Sequence, residues 1–548
     1  MRVCDFIAEY FYQKSLKYYF GFQGGAVTPL IDSMYQKGIR FFQSYHEQAG
    51  GFSADAYARI SGELSVVMAT NGPGATNLVS AVANAYLDSI PVLFITGQVN
   101  TTDIRKEGIR QNGFQEVDNV SIMQPITKYA TQIQKTEDVL YELEKAIDIA
   151  TSGRKGSVLV DIPLNILMSE INESDFKQYK KSKIQYKTDK KDIDATLQMM
   201  QEAKRPVILV GGGVRSCMAT DLVKELSQKT NIPVVSTWMG FDVHTPSKYG
   251  VSGLYGQTYA NLALFNADFV LVLGSRFAKR QIGASFEKYV SGSIVQVDID
   301  ETELTHNHQP DLLVHADIAD FLKGLLSHKL PICPSDWTKR LQDWKEKYDN
   351  DVFVNGTEDP VLYVRNISLN ADKNTIISTD VGQNQMWVMQ GWQLKDGQRV
   401  LTSGGLGCMG FSIPAAIGAQ LANKKATVIA FCGDGGFQMN VQELQTIATN
   451  NLPIKIIVFN NNSLGMIQEN QDKYMGGRFC GTKEGYAAPD FEKLAKAYGL
   501  KYLRYEDENP ANFLEEKGAC LVEIKLDAPV TKLMKRYDRN DVYEQEKI

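Results

Sequence analysis

Long apolar runs are missing from this 548-residue chain. No stretch reaches the roughly 18 apolar residues that span a bilayer, so a membrane-spanning role is not expected. Cysteine is sparse: Cys4, Cys217, Cys333, Cys408, Cys432, Cys480 and Cys520 are scattered, odd in number and never spaced as CxxC. That argues against a disulfide framework or a cysteine zinc site and points to reduced thiols in a cytoplasmic protein. An excess of basic charge is absent too. The 58 Lys and Arg against 64 Asp and Glu leave a formal net charge of -6, whereas nucleic-acid binding needs clustered cations. The basic run Lys177 to Lys191 is short, mixed with Asp and Tyr, and reads as a solvated linker. The opening MRVCDFIAEYFYQKSLKYYF sets Asp5 and Glu9 inside a helical apolar pattern, unlike the basic start and unbroken apolar core of a secretory signal. There is no short-period repeat and no low-complexity tract.

What is present is a length for about three or four domains and three blocks in which β-rich runs alternate with helical patterns. The first contains SVVMAT, PVLFITG and GSVLVDIP; the second RPVILVGGGV, NADFVLVLGSRF and SIVQVDID; the third NTIISTDVG, ATVIAFCGDGG and IKIIVFNNN. Short apolar runs bounded by Gly and Pro and separated by helices predict buried parallel strands. The expected fold is α/β, with three doubly wound parallel-sheet domains over 1–171, 190–330 and 355–548. Polar stretches around 172–194 and from HKLPICPSDW onward read as linkers.

Chemistry concentrates in the third block. A strand runs into Gly433-Asp434-Gly435-Gly436, and after one helix and one strand comes Asn460-Asn461-Asn462. Both clusters follow strand C-termini, where open α/β sheets bind ligands. Asp434 and Asn461 offer hard oxygens suited to Mg²⁺, which takes few protein ligands and completes its shell with phosphate and water. Gly433, Gly435 and Gly436 permit close backbone approach, with N–H groups to meet phosphate. GDG alone is equally explained by a tight turn with Asp as a helix cap; the asparagines shift the balance. In the first block, GFQGGAVTPL with Gly25, HEQAGGFSADAYARISG with Glu47, and NGPGATN with Pro73 and Asn77 are each unremarkable singly. A first-turn acid and a Pro-Gly loop explain them just as well.

In combination and order, these motifs resemble the thiamine-diphosphate enzymes. The diphosphate motif of that family is GDG followed by NN, and Asp434 and Asn461 stand 27 positions apart. The likeness is greatest to the acetolactate synthase (acetohydroxyacid synthase) large subunit. HEQ, NGPGATN, GQV, FQE, TK, LVGGG, VDID, VGQ, QMW, TSGGLG, PAAIGA, GDG, QEL, NLP, NN and GM fall in family order over nearly the whole chain. The resemblance implies pyrimidine-binding, central and diphosphate-binding domains, in that order. It implies Mg²⁺ on Asp434, Asn461 and the backbone carbonyl of Ser463, and a proton-transferring role for Glu47 toward the aminopyrimidine ring, which a carboxyl group shielded from water performs best. It assigns cofactor contacts to Val381, Gly382, Gln383 and Gln385, to Gly407 and the wedge-like Met409, and to Met466. Met409 is otherwise simply a buried core residue.

Phe114 and Gln115 stand where the synthases have Phe and Gln and where simple pyruvate decarboxylases have two histidines, so carboligation is favoured over release of an aldehyde. Gln115 is expected at the reacting intermediate, and Lys128 is expected to attract an acidic substrate. The donor implied is a 2-oxo acid, in all expectation pyruvate, and the acceptor a second carbonyl compound. The family's arrangement implies a homodimer or homotetramer with interfacial active sites.

The middle block carries Gly211-Gly212-Gly213, Thr237-Trp238-Met239-Gly240, Arg276-Phe277-Ala278-Lys279-Arg280 and Asp298-Ile299-Asp300. The synthases bind FAD through such segments, here Gly212, Gly213, Arg276, Arg280 and Asp298, although both aspartates of their RFDDR are replaced. FAD as a structural occupant and an empty domain used for packing both remain open. A second departure is Asn470 in Gly465-Met466-Ile467-Gln468-Glu469-Asn470-Gln471, where the synthases carry Trp. Phe22-Gln23 replaces a Tyr-Pro. The acceptor side reads as more polar, which raises a keto-sugar nucleotide as an alternative acceptor; a plain decarboxylase or oxidase is the other alternative.

Overall fold

The computed structural model describes every residue except 182–185, 284–285, 287–288, 306–307, 351–358, 508–511 and 527–545. Part of the first expected linker, the expected start of the third domain at 355, and most of its tail lie outside the described residues. Three six-stranded parallel sheets follow one another along the chain. The first holds β1 (Tyr18–Gly21), β2 (Arg40–Gln43), β3 (Ser65–Ala69), β4 (Val92–Gln98), β5 (Tyr129–Gln132) and β6 (Val158–Pro163), in the order β2-β1-β3-β4-β6-β5. The second holds β7 (Pro206–Val210), β8 (Val234–Ser236), β9 (Lys248–Val251), β10 (Phe269–Leu273), β11 (Ser293–Asp298) and β12 (Leu312–His315), ordered β12-β11-β10-β7-β8-β9. The third holds β13 (Thr375–Thr379), β14 (Arg399–Thr402), β15 (Thr427–Gly433), β16 (Lys455–Asn460), β17 (Lys501–Arg504) and β18 (Cys520–Lys525), ordered β14-β13-β15-β16-β18-β17.

The first and third sheets therefore share one topology, and the middle sheet has the mononucleotide-type order read from its far edge. The central strands are apolar and buried along their length, as in β3, β7 and β10, because helices cover both faces of a parallel sheet. The order reverses between β1 and β3, between β10 and β7, and between β13 and β15. A crevice opens there beyond the strand C-termini, and these three crevices position every site described below.

The outer domains pack directly on each other. One apolar cluster runs from Phe20, Phe52 and Val82 in the first to Phe411, Ile417 and Val428 in the third. The helices Glu47–Ser61 and Ser412–Ala422 approach so closely that a Cβ on Gly418 would lie 1.9 Å from the Ser53 carbonyl oxygen. The Phe52 and Phe411 rings meet edge to face at 5.4 Å, a contact worth about 1 kcal/mol beyond its burial.

The charged helical sequence expected to form the second linker is a helix (Ser335–Tyr348) that begins within HKLPICPSDW and is built into the middle domain rather than linking domains. Trp337, Leu341 and Trp344 recur at helical spacing and join the middle core, and the Trp337 indole N–H donates to the Pro206 carbonyl at 3.2 Å. Its charged outer face gave the segment its linker-like composition. The other expected linker also ends early, since a helix begins at Lys190.

Candidate functional site

Glu47 is the first residue of the helix Glu47–Ser61, four residues beyond the end of β2. The His46 ring accepts from the Gln48 N–H at 3.2 Å and caps that helix. Glu47 is 8% exposed, and its Oε2 accepts a 2.9 Å hydrogen bond from the Asn77 amide. Asn77 ends the short helix Pro73–Asn77, which follows β3. Gly72, before it, has φ 63°, and a Cβ there would lie 2.7 Å from the Gln115 carbonyl oxygen. Glycine is thus required on two counts: a left-handed backbone and a crossing loop. That loop carries Phe114, whose carbonyl accepts from Asn71 at 3.4 Å and whose ring is 85% exposed. Gly25 opens the turn Gly25–Val27 after β1, tied to the end of β3 by Ala26 N–H donating to the Thr70 hydroxyl at 3.2 Å. Tertiary structure therefore brings Gly25, Glu47, Pro73, Asn77, Phe114 and Gln115 to one sheet end.

In the third domain, Asp434 follows β15, and Asn461 and Ser463 follow β16, the strand paired with it. Asp434 is 1% exposed. Its Oδ1 accepts from the Tyr486 hydroxyl at 2.9 Å and its Oδ2 from the Ser463 N–H at 3.3 Å, which also donates to Asn461 Oδ1 at 3.1 Å. The Asn461 amide donates to Gln383 at 3.2 Å. Burial pushes the Asp434 carboxyl up to about 6, against those hydrogen bonds. A buried carboxylate so short of positive charge, joined through the Ser463 N–H to a side-chain amide oxygen, offers hard-oxygen donors that suit Mg²⁺. Among the described residues there is no cluster of three His, Cys, Asp or Glu side chains that could hold a metal ion.

The loop after β13 completes this crevice. Gly382 has φ 132°, and the Asn384 side-chain amide nitrogen lies 3.3 Å from where a Gly382 side chain would begin and 3.6 Å from that of Gly433, while the buried Asn384 Oδ1 has no hydrogen-bond partner. Buried Asp380 accepts from Val381 N–H and Gly410 N–H, both at 3.0 Å, and from Ser412 N–H at 3.1 Å, so one carboxylate organises the loops of Val381 and of Met409. Gly436 leaves room for it: a Cβ there would stand 2.3 Å from Asp380 Oδ1. Space beside Gly407 is open, and the Met409 methyl reaches within 3.3 Å of where a Gly435 side chain would begin. Met466 lies half-buried in the first turn of the helix Gly465–Tyr474.

The middle crevice opens into a cavity of about 590 Å³, lined among others by Gly212, Gly213, Arg276, Arg280, Asp298 and Trp238. That is the size range of a cofactor pocket. The Arg280 guanidinium lies 4.5 Å from the Trp238 ring centre and donates to Gln385 Oε1 at 3.0 Å. Burial pushes the Asp298 carboxyl up to about 6. Arginines for a pyrophosphate, an acid for a hydroxyl and glycines at the strand ends are a donor set that fits a dinucleotide.

Three sequence-family models match this chain in domain order. They are the thiamine pyrophosphate enzyme N-terminal TPP binding domain over residues 1–122, the central domain over 193–325 and the C-terminal TPP binding domain over 380–524. The acetolactate synthase isozyme 1 large subunit of Escherichia coli is 36% identical over 96% of this chain and 94% of its own length. The acetolactate synthase large subunit of Lactococcus lactis is 37% identical over 91% and 86%, and the probable acetolactate synthase large subunit of Methanocaldococcus jannaschii 36% over 91% and 87%.

The chain belongs to the thiamine pyrophosphate enzyme family.

Within this thiamine pyrophosphate enzyme, two residues singled out in the sequence are engaged by other parts of the chain. Lys128 precedes β5 and so lies at the opposite end of the first sheet from Glu47. Its ammonium donates to the carbonyls of Ile149 and Ser152, the latter at 2.9 Å, at the C-terminus of the helix Val139–Thr151, and burial lowers it to about 8. The TK dipeptide carries no sign of which sheet end it occupies. Gln385 is spent on Arg280 and the Thr402 hydroxyl. The polar character of GMIQENQ is also largely internal. Gln468 accepts from the Ser463 hydroxyl and Gln471 from the Thr482 hydroxyl, both at 2.5 Å, and Asn462 accepts from Ala488 N–H at 2.7 Å. Asn470 is exposed. Asp380, Asn384 and Tyr486 escaped notice in the sequence. Asp380, directly before Val381-Gly382, had a readable signal as the residue ending a strand; Tyr486, 52 positions from Asp434, had none.

Proposed function

We propose that this protein is a carboligase of the acetolactate synthase type, decarboxylating pyruvate and joining the resulting two-carbon unit to a second 2-oxo acid. The observation that carries the reading is the buried Asp434, bonded through Ser463 to Asn461 at paired strand ends in a chain whose three domains match the family throughout. The relatives' names favour this over a plain decarboxylase or oxidase and over a keto-sugar acceptor. The internal use of Gln468 and Gln471 removes much of the argument for a polyhydroxylated acceptor.

Thiamine diphosphate, when bound, supplies the nucleophilic carbon and the electron sink for CO₂ loss. The chain's own work is to bind, orient and move a proton. Asp434, the Asn461 amide oxygen and the Ser463 carbonyl would hold Mg²⁺ and through it the diphosphate, with Val381, Gly382, Gln383 and the Gly433–Gly436 loop around them. Gly407 and Met409 would meet the pyrimidine and thiazolium side. Glu47 would exchange a proton through Oε1, since its Oε2 accepts from the Asn77 amide, which fixes the rotamer. Phe114 and Gln115 border the same crevice as the substrate-facing residues.

We further propose that FAD occupies the middle cavity in a structural role and that the protein acts as a homodimer in the cytoplasm, where its thiols stay reduced. Dimerisation is supported by large apolar side chains exposed beside both half-sites: Phe114 at 85%, Met439 at 58% and Ile467 at 52%. The test is CO₂ release from pyruvate by the full chain with thiamine diphosphate and Mg²⁺, with products identified by mass spectrometry. Acetolactate is expected; acetaldehyde alone, or no CO₂, overturns the assignment.

A further inference from the structure

The wall that closes the middle cavity toward the third domain is the loop from Thr402 to Met409, whose Gly404 and Gly405 line it. Three separate ties join that loop to the cavity's other walls. The Met239 thioether seats on Gly404, where a Cβ would stand 2.2 Å from Sδ, and the Met239 Cβ lies 3.1 Å from the place of a Gly212 side chain. Arg280, on the cavity wall, donates to Gln385, which donates in turn to the Thr402 hydroxyl. Asp88, on the third wall, accepts from Gly404 N–H at 3.1 Å and Gly405 N–H at 2.7 Å. The buried Arg59 holds Asp88 in place at 2.8 Å and also donates to the Thr402 carbonyl at 3.1 Å.

The far end of the same loop faces the diphosphate crevice. The Ser403 hydroxyl accepts from Gly407 N–H at 3.0 Å and Cys408 N–H at 2.9 Å while donating to Asn84 at 2.5 Å. Residues 403–408 are therefore a turn closed on the Ser403 hydroxyl. The Ser403 hydroxyl thus links the residues beside Gly404 to Gly407 and Cys408, next to Met409.

We infer that occupancy of the middle cavity and binding of thiamine diphosphate are thermodynamically coupled through the loop Thr402–Met409, with Met239 as the positioning residue that transmits the coupling. The inference rests on the flavin and thiamine assignments made above. A ligand in the cavity packs against Gly212 and Met239, which both line it, and so holds the Met239 side chain in the rotamer that seats on Gly404. With the cavity empty, a flexible thioether is free to leave. That difference in contacts between the two states is the source of coupling, and by linkage it acts equally in both directions.

The experiment uses the full chain stripped of cofactors. Calorimetry gives the Kd of thiamine diphosphate at fixed Mg²⁺ with and without saturating FAD, and flavin retention is followed separately by absorbance after gel filtration. Flavin is expected to tighten thiamine diphosphate about tenfold, and thiamine diphosphate to tighten flavin by the same factor. Met239→Ala is expected to retain flavin while the factor falls toward one; Met239→Leu restores part of it. Retained flavin with an unchanged thiamine Kd overturns the coupling and leaves the flavin assignment standing. A full tenfold effect in Met239→Ala overturns the route through Met239. Failure to retain flavin at all overturns the assignment and the coupling together.

Discussion

Asn77 holds Glu47: the Asn77 amide donates to Glu47 Oε2 at 2.9 Å, joining the helix after β3 to the helix after β2. The bond leaves Oε1 as the oxygen free to exchange a proton. Glu47→Gln keeps the shape and removes the acid, so kcat should fall about 10³-fold while thiamine diphosphate binding, read by calorimetry, changes little. Asn77→Ala should cost less, about tenfold in kcat. Unchanged turnover in Glu47→Gln would remove Glu47 from the chemistry.

Tyr486 donates to Asp434 Oδ1 at 2.9 Å and so orients the carboxylate proposed to hold Mg²⁺. Tyr486→Phe should weaken Mg²⁺ about tenfold. The readout is a Mg²⁺ titration of thiamine diphosphate binding. An unshifted midpoint would mean that the hydroxyl only packs.

Asp242 clamps the middle and third domains, meeting Arg215 at 2.9 Å and Arg399 at 2.7 Å. Burial alone would raise its carboxyl, but Arg399 and Arg215 hold it down at about 2. The lowered value means a stabilising contribution present above the ordinary carboxylate range and lost as pH falls from about 4 toward about 2. Asp242→Asn leaves two arginines without their carboxylate and should cost about 3 kcal/mol, seen as a lower denaturation midpoint at pH 7.

Glu443 works in the opposite sense. It is fully buried between domains, accepts from Tyr45 N–H at 2.8 Å and the Thr446 hydroxyl at 2.7 Å, and burial pushes it up from 4.5 to about 7. The folded state then holds its proton more tightly, so the stability it confers is complete below about 4.5 and lost as pH rises through about 7. Wild-type melting temperature should fall across that window relative to Glu443→Gln. Parallel profiles for the two proteins would contradict this.

Lys128 caps a helix end rather than a substrate. Lys128→Ala should leave kcat and KM for pyruvate within about twofold and lower stability by about 1 kcal/mol, measured by thermal unfolding beside steady-state kinetics. A raised KM with unaltered stability would return Lys128 to substrate binding.

Much of this protein was determined by the sequence itself. Strand-then-glycine runs such as TVIAFCGDGG and PVILVGGG specify parallel strands with crevices at their C-terminal ends. The local order of Glu47, NGPGATN, Asp434 and Asn461 places the ligand-facing residues on those ends, because a residue just past a strand has little choice of position. Only the tertiary structure decided what lies opposite. That Lys128 sits at the wrong end of its sheet, that Gln385 answers Arg280, that Gln468 turns inward to Ser463, and that the helix Ser335–Tyr348 belongs to the middle core all depend on partners remote in sequence or on which way a side chain turns. Tyr486, Asp242 and Glu443 were silent for the same reason. A buried carboxylate is defined by the N–H groups, hydroxyls and cations that the fold carries to it, and local pattern encodes none of them.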